Sequence, residues 1–286
     1  MANLKDIRNK IKSVKSIQQV TKAMKMVAAA KLRKSQENME KARPYSKAMK
    51  DTINSILPDI DRNILPILDN RPIEKTLFVV VSADRGMAGG FNANVIKTVE
   101  KEINNFGNNK SELICIGKKA YDYFKRRNYN IVKYYIDFWN DLKFNSAKSI
   151  GDDIVERYRK KEIDSVRFIY NEFKSIASQI IQSEKLFPLE HYHEENEKST
   201  TNKVFMPSKE KIIKTLVPKY INVQIWQYFL ESNASEQAAR MLAMENATEN
   251  AGEMISDLSL EYNKARQAAI TTEIIEIVSG ANALEA

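Results

Sequence analysis

One glycine-rich stretch of the chain has residue types that hold phosphate groups in many proteins. Residues 82–94 read SADRGMAGGFNAN. They follow TLFVVV at 76–81, a β-branched and aromatic run typical of a buried strand, and they precede VIKTVEKEINNF at 95–106, whose apolar residues recur at helical spacing. A strand, a glycine-rich turn and a helix form the phosphate site of many α/β proteins. The stretch therefore raises nucleotide binding as a first hypothesis.

The spacing of the glycines argues against that hypothesis. A dinucleotide fingerprint needs G-x-G-x-x-G, whereas the glycines here are Gly86, Gly89 and Gly90. A P-loop needs a Lys and a Ser or Thr after its last glycine, and Phe91 and Asn92 occupy those positions. We predict that these glycines let a strand turn sharply into a packed helix, and we expect no cofactor to bind there.

Side chains suited to catalysis or metal binding are scarce elsewhere. His191 and His193 lie in PLEHYHEENEKSTTNK at 188–203, a polar stretch without periodicity that predicts an exposed loop. A loop without fixed geometry is a poor metal site. Cys115 lies in the apolar run LICIG, which predicts a buried, inert thiol in a reducing compartment. Ser-His-Asp and Cys-His mechanisms therefore lack their components, and we predict no catalytic and no metal-binding residues.

Composition and hydropathy place the chain among helix-rich globular proteins. Its 286 residues are 43% apolar and 29% charged, enough for one large or two small domains, and 8 glycines and 7 prolines are few. No apolar run approaches the roughly 18 residues needed to cross a bilayer. The lysine-rich N-terminus is not followed by the apolar region of a cleaved signal.

Charge is distributed unevenly between the two ends. Residues 1–57 hold 14 Lys or Arg against 4 Asp or Glu, and residues 219–286 hold 4 against 10. A basic N-terminal segment is typical of nucleic-acid binding. An acidic C-terminal segment of similar length predicts instead a partner within the same chain. A basic helical nucleic-acid binder remains the alternative function, with a small α/β enzyme as a third hypothesis.

Both termini have the apolar periodicity of long helices. The N-terminal stripe is Leu4, Ile7, Ile11, Val14, Ile17, Val20, Met24 and Val27. That helix should end near Leu57, with a kink at Pro44. The C-terminal stripe is a heptad run of Ala251, Ile255, Leu258, Tyr262, Ala265 and Ala269. Each helix is expected to reach roughly 80–90 Å at about 1.5 Å per residue.

The intervening region alternates between strand and helix patterns. We predict strands near 76–82, 112–117, 130–136 and 164–171, with a fifth at 178–186, and helices near 91–106, 118–127 and 146–160. This order predicts a mainly parallel sheet covered by helices. The fold class is therefore α/β: a long antiparallel coiled coil of the terminal helices plus a central Rossmann-like domain. The predicted domains are the coiled-coil shaft at 1–57 and 208–286, the α/β domain at 74–190 and an exposed connector at 191–207.

Several stretches resemble one family, the gamma subunit of F-type ATP synthases. VTKAMKMVAAAKLRKSQ at 20–36 and RPY at 43–45 are similar to that family's N-terminal signature. ASEQAARMLAMENATENA at 234–251 and YNKARQAAITTEIIEIVSGANAL at 262–284 are similar to its C-terminal signature. SADRGMAGGFNAN resembles its S-x-D-R-G-L-C-G-G-x-N segment, with Met87 and Ala88 in place of leucine and cysteine. The likeness spans nearly the whole chain.

The resemblance implies a non-catalytic rotor shaft that couples proton-driven rotation to ATP synthesis and hydrolysis. Members of the family enter a ring of alternating alpha and beta subunits, and their foot contacts the epsilon subunit and the membrane c-ring, so that membrane contact is indirect. The glycine-rich turn is a fold element in such proteins. No nucleic-acid partner and no cofactor are implied. The lack of a transit-like presequence favours a bacterial chain, peripheral on the cytoplasmic side of the inner membrane.

The resemblance also implies contact residues. Those expected to touch the surrounding ring are Met24, Lys25, Lys31, Arg33, Arg266, Gln267, Thr271 and Glu273. Lys22 and Lys34 belong to the same basic band of the first helix, and the open alternative for this band is solvation and pairing with the acidic C-terminal helix. Phe205 and Met206, in VFMPS, are expected at the foot, although Met206 stands where the family often has an acidic residue. We further expect Thr271 to Leu284 to project past Met1.

Overall fold

The computed structural model describes residues 4–57, 68, 71–189 and 209–285. Among these residues, two long helices flank a region of shorter helices and strands. The helices are α1 (Leu4–Ile56), α2 (Phe91–Phe106), α3 (Lys118–Lys125), α4 (Phe144–Arg159) and α5 (Lys209–Glu285). The strands are β1 (Thr76–Val81), β2 (Ser111–Ile116), β3 (Ile131–Tyr135), β4 (Ser165–Phe173) and β5 (Gln179–Phe187). The order and type of these elements agree with the predictions.

The described strands form one sheet in the order β3-β2-β1-β4-β5. The pairs β1–β2, β1–β4 and β2–β3 are parallel, and β4–β5 is antiparallel. The α/β class with a mainly parallel sheet is thus confirmed. The fifth strand runs antiparallel because a short turn near Ser175 joins it to β4, whereas parallel neighbours need a longer crossover.

Helices cover both faces of the sheet, and alternation along β1 assigns each residue to a face. Leu77, Val79 and Val81 pack with the end of α1, with α4 and with α5. Phe78 and Val80 pack with α2 and α3, next to Cys115. Burial raises the pKa of the Cys115 thiol to about 12, which keeps it protonated and inert as predicted.

The described chain divides into two compact units. One comprises residues 1–28 and 241–286, which we call the helix-pair unit, and the other comprises residues 29–240, which we call the sheet unit. Each contains part of α1 and part of α5. The predicted domain boundaries remain predictions, and the connector at 191–207, with His191, His193, Phe205 and Met206, lies outside the described residues.

In each unit α1 and α5 run in opposite directions, as predicted. In the helix-pair unit, Gln18 contacts Thr248 and Lys25 contacts Glu245. In the sheet unit, Ser35 contacts Asn233, Arg43 contacts Glu231, and Ser46 contacts Gln224. Numbers rise along α1 as they fall along α5, which is the antiparallel order.

The predicted apolar seam of α1 is wrong at three of its positions. Ile17, Val20 and Val27 are 55%, 58% and 56% exposed. A series of less exposed positions instead alternates spacings of four and three: Ile7, Ile11, Val14, Gln18, Thr21, Lys25, Ala28 and Leu32. The predicted stripe took two successive steps of three at Val14–Ile17–Val20, and such steps rotate away from a facing helix. Apolar content misled the prediction because the true seam has polar residues.

The long C-terminal helix keeps most of its predicted pattern. Ile221, Ile225 and Phe229 are fully buried in the sheet unit. In the helix-pair unit the heptad run from Ala251 to Ala265 stays at least half-buried, and Ala269 is exposed. The helix begins at Lys209 and continues through Pro218. The α1 helix likewise continues through Pro44 and ends at Ile56, and the predicted kink there stays a prediction.

Candidate functional site

The glycine-rich turn joins β1 to α2 and packs against α5. Ala83, Ala88 and Phe91 form a buried cluster with Ala239. Gly89 has φ 55°, in the left-handed region that glycine tolerates, and Met87 adopts φ 60° beside it. The turn therefore serves as a packed corner between a strand and a helix.

Polar groups of this turn are bonded within the chain. Asn92 Oδ1 accepts the Ala83 N–H at 2.9 Å, and Asp84 Oδ1 accepts the Lys118 N–H at 2.9 Å. Ser82 Oγ accepts the Ala120 N–H at 3.0 Å and donates to Ile116 O at 3.1 Å. These bonds join the ends of β1 and β2 to α3. The arrangement uses the turn's donors and acceptors to hold the fold together, which is the structural role predicted for it.

A buried ion pair on α5 fastens the turn from the other side. Arg240 Nη1 donates to Glu236 Oε1 at 2.7 Å, and Arg240 Nη2 donates to the carbonyl of Gly86 at 3.3 Å. Both side chains are nearly buried, at 12% and 7% exposed. Burial raises the pKa of Glu236, and the guanidinium of Arg240 opposes that rise. Arg240 therefore couples the helix to the backbone of the turn.

A second polar junction holds α1, α5 and the end of β4 together. Arg43 Nε donates to Glu231 Oε1 at 3.0 Å and Arg43 Nη2 to Glu231 Oε2 at 3.2 Å, a bidentate pair. Glu231 also accepts the Phe173 N–H at 3.1 Å and the Gln227 amide at 2.9 Å. Arg43 Nη2 further donates to Phe173 O. Because the Glu231 carboxylate is only 7% exposed, these donors replace its water.

The helix-pair unit has a polar contact layer of its own. Thr248 Oγ1 donates to Thr21 Oγ1 at 2.8 Å, and Gln18 Nε2 donates to Thr248 O at 3.4 Å. Lys25 and Glu245 form an ion pair next to them. A cavity of about 500 Å³ opens beside this layer. Its lining residues are Gln18, Gln19, Lys22, Lys25, Met26, Glu245, Thr248 and Glu249.

The far part of α5 differs from every other described helical segment of the chain. Residues 266–280 are exposed without exception. The apolar side chains among them are Ile270, Ile274, Ile275, Ile277 and Val278, from 48% to 65% exposed. Residues 267–286 contain no Lys or Arg. The large apolar side chains lie within about half of the helix circumference, and an exposed apolar face of this kind marks a surface that other molecules cover.

Comparison with known proteins identifies the family. A family model described as ATP synthase matches residues 3–284. An ATP synthase gamma chain of Chlorobium phaeobacteroides (strain BS1) is 46% identical over 293 residues, covering 100% of this chain and 99% of the relative. That of Pelodictyon phaeoclathratiforme is 48% identical over 290 residues, covering 99% of each. The chain belongs to the ATP synthase gamma chain family.

Solved structures of ATP synthases share the fold. A chain from the central stalk and c-ring of the Tetrahymena thermophila mitochondrial ATP synthase matches with TM-score 0.62 and 24% identity, covering 80% of this chain and 99% of that one. A chain from the rotor of the Euglena gracilis mitochondrial ATP synthase matches with TM-score 0.66 and 20% identity, covering 93% and 98%. At these identities the likeness concerns the fold, and it confirms the α/β class with long terminal helices.

Membership in the gamma chain family confirms the predicted rotor role. A gamma chain is a rotor subunit of ATP synthase rather than a catalytic subunit, so nucleic-acid binding is not favoured as the main function. The ion pairs Lys25–Glu245 and Arg43–Glu231 agree with this conclusion, because part of the basic charge of α1 pairs with acidic residues of α5. Within the described residues, no helix is both long enough and apolar enough to span a membrane.

The residues predicted to contact the ring in this gamma chain fall into two groups. On α1, Met24 and Lys25 are half-buried, whereas Lys31 and Arg33 are exposed. On α5, Arg266, Gln267, Thr271 and Glu273 are all exposed. Thr271 Oγ1 donates to Gln267 O at 2.9 Å, a bond within the helix. Among the described residues Arg266 makes no ion pair, so its guanidinium is available to a partner.

Sequence reasoning missed the residues that fix this gamma chain internally. Glu236 and Arg240 stand in the stretch ASEQAAR, and Arg43 in RPY, yet neither stretch revealed its partners. Arg240 and Glu236 pair within one stretch, but Gly86 lies 154 residues from Arg240, and Glu231 lies 188 residues from Arg43. The sequence could have predicted the seam of the helix-pair unit. Spacings that alternate strictly between four and three residues, counted from Ile7, lead to the polar seam residues Gln18, Thr21 and Lys25.

Proposed function

We propose that this gamma chain is the central shaft of a bacterial ATP synthase and that the exposed end of α5 turns inside a ring of alpha and beta subunits. Its foot, at the sheet unit and the segment with Phe205 and Met206, contacts the epsilon subunit and the c-ring. The chain is then peripheral on the cytoplasmic side of the inner membrane, with proton-driven rotation delivered through the c-ring.

The observation that carries this proposal is the composition and exposure of α5 beyond residue 266. A helix segment without Lys or Arg that exposes five large aliphatic side chains is unfavourable in water and is expected to be enclosed in an assembly. A surface that must slide past successive partners needs shallow, non-directional contacts, and dispersion contacts of aliphatic side chains have that character. The same surface made of long charged side chains would form strong directional pairs at each position.

Coupling follows from unequal contact. A shaft that touches one catalytic subunit more favourably than its neighbours acts as a ligand that shifts that subunit's conformational equilibrium. About 1.4 kcal/mol of unequal contact changes a nucleotide affinity about tenfold. By reciprocity, nucleotide binding and release on the ring push the shaft in return.

Directional contacts are proposed where polar groups interrupt the apolar end. Arg266 and Gln267 are exposed and adjacent, and together they offer a guanidinium fork and an amide. We expect them to hydrogen bond to a beta-subunit loop in one of the rotary positions, with Thr271 and Glu273 along the same helix. Met24, Lys25, Lys31 and Arg33 are proposed as the ring contacts of α1, with Lys25 shared with Glu245.

The test is Arg266→Ala in the reconstituted ATP synthase complex. We expect the variant to assemble normally, because Arg266 is exposed and makes no ion pair within the described chain. Steady-state ATP turnover should fall by about tenfold or more, as losing a charged hydrogen bond worth about 1.5–3 kcal/mol predicts. Turnover is measured by phosphate release, and assembly by gel filtration.

The matched control is Lys264→Ala, which removes the same charge from an exposed position two residues away. Two residues correspond to about 200° around a helix, so this side chain points elsewhere. Control turnover should equal that of the wild type. Equal turnover in all three complexes, or an equal loss in both variants, would contradict a specific contact at Arg266.

A further inference from the structure

One strongly charged surface of the sheet unit is not among the contact residues proposed above. Residues 118–133 contain six Lys or Arg and a single acidic residue, Asp122. They form α3, the turn after it and the start of β3. A concentration of positive charge on an exposed element indicates an anionic partner.

The structure gathers most of this charge on one side of α3. Ala120 and Phe124 are fully buried against the sheet. The exposed basic residues of α3 and of the turn after it form what we call the basic face: Lys118, Lys119, Lys125, Arg126 and Arg127. Residues 118 and 125, like 119 and 126, are seven apart and therefore lie above one another after two turns. Lys133 is not part of this face, since it pairs with Asp153 at 3.3 Å.

Tyrosines and aliphatic side chains border the basic face. Tyr134 and Ile136, on and just after the edge strand β3, are 49% and 45% exposed, and Val132 is exposed beside them. Tyr121 of α3 stacks on Tyr134 with ring centroids 4.2 Å apart. The surface thus combines cations with amphipathic and apolar groups at one edge of the sheet.

The packing of the tyrosine rings bears on whether a single-stranded nucleic acid fits this surface. Tyr121 has one neighbour in Tyr134 and another in Lys125, whose Nζ lies 5.2 Å from the ring centroid. Arg127 Cζ lies 3.7 Å from the centroid of Tyr123. Single-stranded nucleic acids bind by stacking bases on open aromatic faces. Here Tyr121, Tyr123 and Tyr134 each have one ring face covered by another side chain, which leaves less open ring surface for stacking bases.

We propose that the basic face binds the anionic phospholipid headgroups of a membrane surface. Lysines and arginines next to exposed tyrosine and aliphatic side chains are the composition that binds membrane interfaces, with cations at the phosphates and amphipathic groups at the headgroup level. The contact is direct, so it goes beyond the indirect membrane attachment proposed above. It is reversible and depends on salt, because exposed charges are screened within about 10 Å at 0.1 M salt.

The test uses the purified full chain and sedimentation with vesicles. One set of vesicles contains equal parts of phosphatidylglycerol and phosphatidylcholine, and the other contains phosphatidylcholine alone. The wild type should bind the anionic vesicles and leave the neutral ones unbound. A variant with Lys118→Gln, Lys119→Gln, Lys125→Gln and Arg126→Gln should bind more weakly, by about fivefold for each charge removed.

The control variant removes four exposed charges elsewhere: Lys10→Gln, Lys12→Gln, Lys15→Gln and Lys34→Gln, all on α1. It should bind anionic vesicles like the wild type. Tryptophan fluorescence from Trp139 and Trp226 checks that both variants remain folded. Failure of the wild type to bind anionic vesicles, or an equal loss in both variants, would overturn the proposal.

A final measurement tests whether the basic face binds single-stranded nucleic acid instead of lipid. A labelled single-stranded oligonucleotide is titrated with the wild type and both variants, and anisotropy is recorded. Weak binding that responds equally to both variants supports the lipid assignment. Tighter binding to the oligonucleotide than to vesicles, lost only in the basic-face variant, would assign the face to nucleic acid and overturn the proposal. None of these outcomes affects the turnover test of Arg266, so the two proposals fail separately.

Discussion

The sheet unit and the end of α5 differ in which side chains they bury and which they expose. In the sheet unit, charged groups such as Glu231 and Glu236 are buried and each is met by an arginine. At the end of α5, aliphatic groups such as Ile275 and Ile277 are exposed and nothing in the described chain covers them. One region satisfies its polar groups internally, and the other leaves its apolar groups for other molecules.

This difference separates two requirements of a rotor. A part that transmits torque must not deform, and buried ion pairs with several hydrogen bonds fix one arrangement of the elements they join. A part that slides must not bind too firmly in any position, and scattered aliphatic contacts have no preferred direction. Substitutions in the sheet unit should therefore change the stability of the isolated chain, whereas those at the end of α5 should not.

The largest loss of stability is expected at Gly117, a position in the sheet unit. Its φ is +92°, and an added Cβ would lie 2.1 Å from the carbonyl oxygen of Ser82. Gly117→Ala should lower the free energy of unfolding by about 3–5 kcal/mol, because both backbone strain and a clash with backbone atoms result. Urea unfolding followed by tryptophan fluorescence measures it, since both tryptophans lie in the sheet unit.

Gly107→Ala is the control for Gly117→Ala. Gly107 also has a positive φ, +107°, but an added Cβ would meet nothing within 4 Å. Gly107→Ala should lower the free energy of unfolding by the backbone strain alone, about 1–2 kcal/mol. Equal losses at the two glycines would show that the close approach of Ser82 to Gly117 is unimportant.

The next effect is expected from Arg43→Met. The substitution leaves the Glu231 carboxylate, 7% exposed, without its cation, and we expect a loss of about 2–4 kcal/mol because the arginine itself is 46% exposed. The control Arg33→Met, on the same helix, removes a side chain 87% exposed and 3.6 Å from Glu37, and it should cost less than about 0.5 kcal/mol. If the two variants melted alike, the junction would not stabilise the sheet unit.

A pH-dependent effect of intermediate size is expected at Asp164. Burial raises its pKa, but the N–H of Lys75, the guanidinium of Arg71 and the N–H of Glu74 together lower it below its usual value. A carboxyl whose pKa is lowered by folding stabilises the fold at pH values above its unfolded pKa, and this contribution is lost as the pH falls through the folded pKa. Asp164→Asn should therefore cost about 2 kcal/mol at pH 7, where charged hydrogen bonds are lost, and less in acid.

The control for Asp164 is Asp141→Asn. Asp141 pairs with Lys143 at 2.6 Å, but both side chains are well exposed, at 75% and 67%. We expect a change of less than about 0.5 kcal/mol at either pH. Urea titrations at neutral and acidic pH measure the free energy of unfolding of both variants. A loss for Asp164→Asn that is the same at both pH values would contradict the assignment.

The smallest effect is expected at the end of α5, and it completes the comparison. Ile275→Ser replaces a side chain that is 58% exposed, so the free energy of unfolding of the isolated chain should change by less than about 0.5 kcal/mol. Ile225→Ser, on the same helix but fully buried, should cost more than about 3 kcal/mol. A large loss from Ile275→Ser would mean that this segment packs against its own chain, which would remove the contrast between the two regions.

Most elements of this fold could be predicted because their signals are local and long. Strand TLFVVV, the helix after the glycine-rich turn and the heptads of α5 each show their periodicity within one segment. The seam of α1 could not be predicted from apolar content, since Gln18, Thr21 and Lys25 take core-facing positions while Ile17 and Val20 face outward. Their partners on α5 lie more than 200 residues away.

The contact residues show a similar limit. Family resemblance placed Arg266 and Gln267, and the structure adds that they are exposed and that Arg266 has no ion-pair partner in the described chain. The contact of Arg240 with the glycine-rich turn could not be predicted in this way, because it is a bond to a backbone carbonyl, that of Gly86. Any residue can supply a carbonyl, so no residue type marks the partner in the sequence.

The polar layer of Gln18, Thr21 and Thr248 fixes the alignment of the two helices along their length. A seam of aliphatic residues alone is nearly periodic, and one helix can slide along the other by a heptad, about 10.5 Å, with modest loss. Sliding would separate the Thr21 and Thr248 hydroxyls, now 2.8 Å apart, and place them against apolar neighbours. The layer therefore resists axial sliding when α1 or α5 is pulled along the other helix.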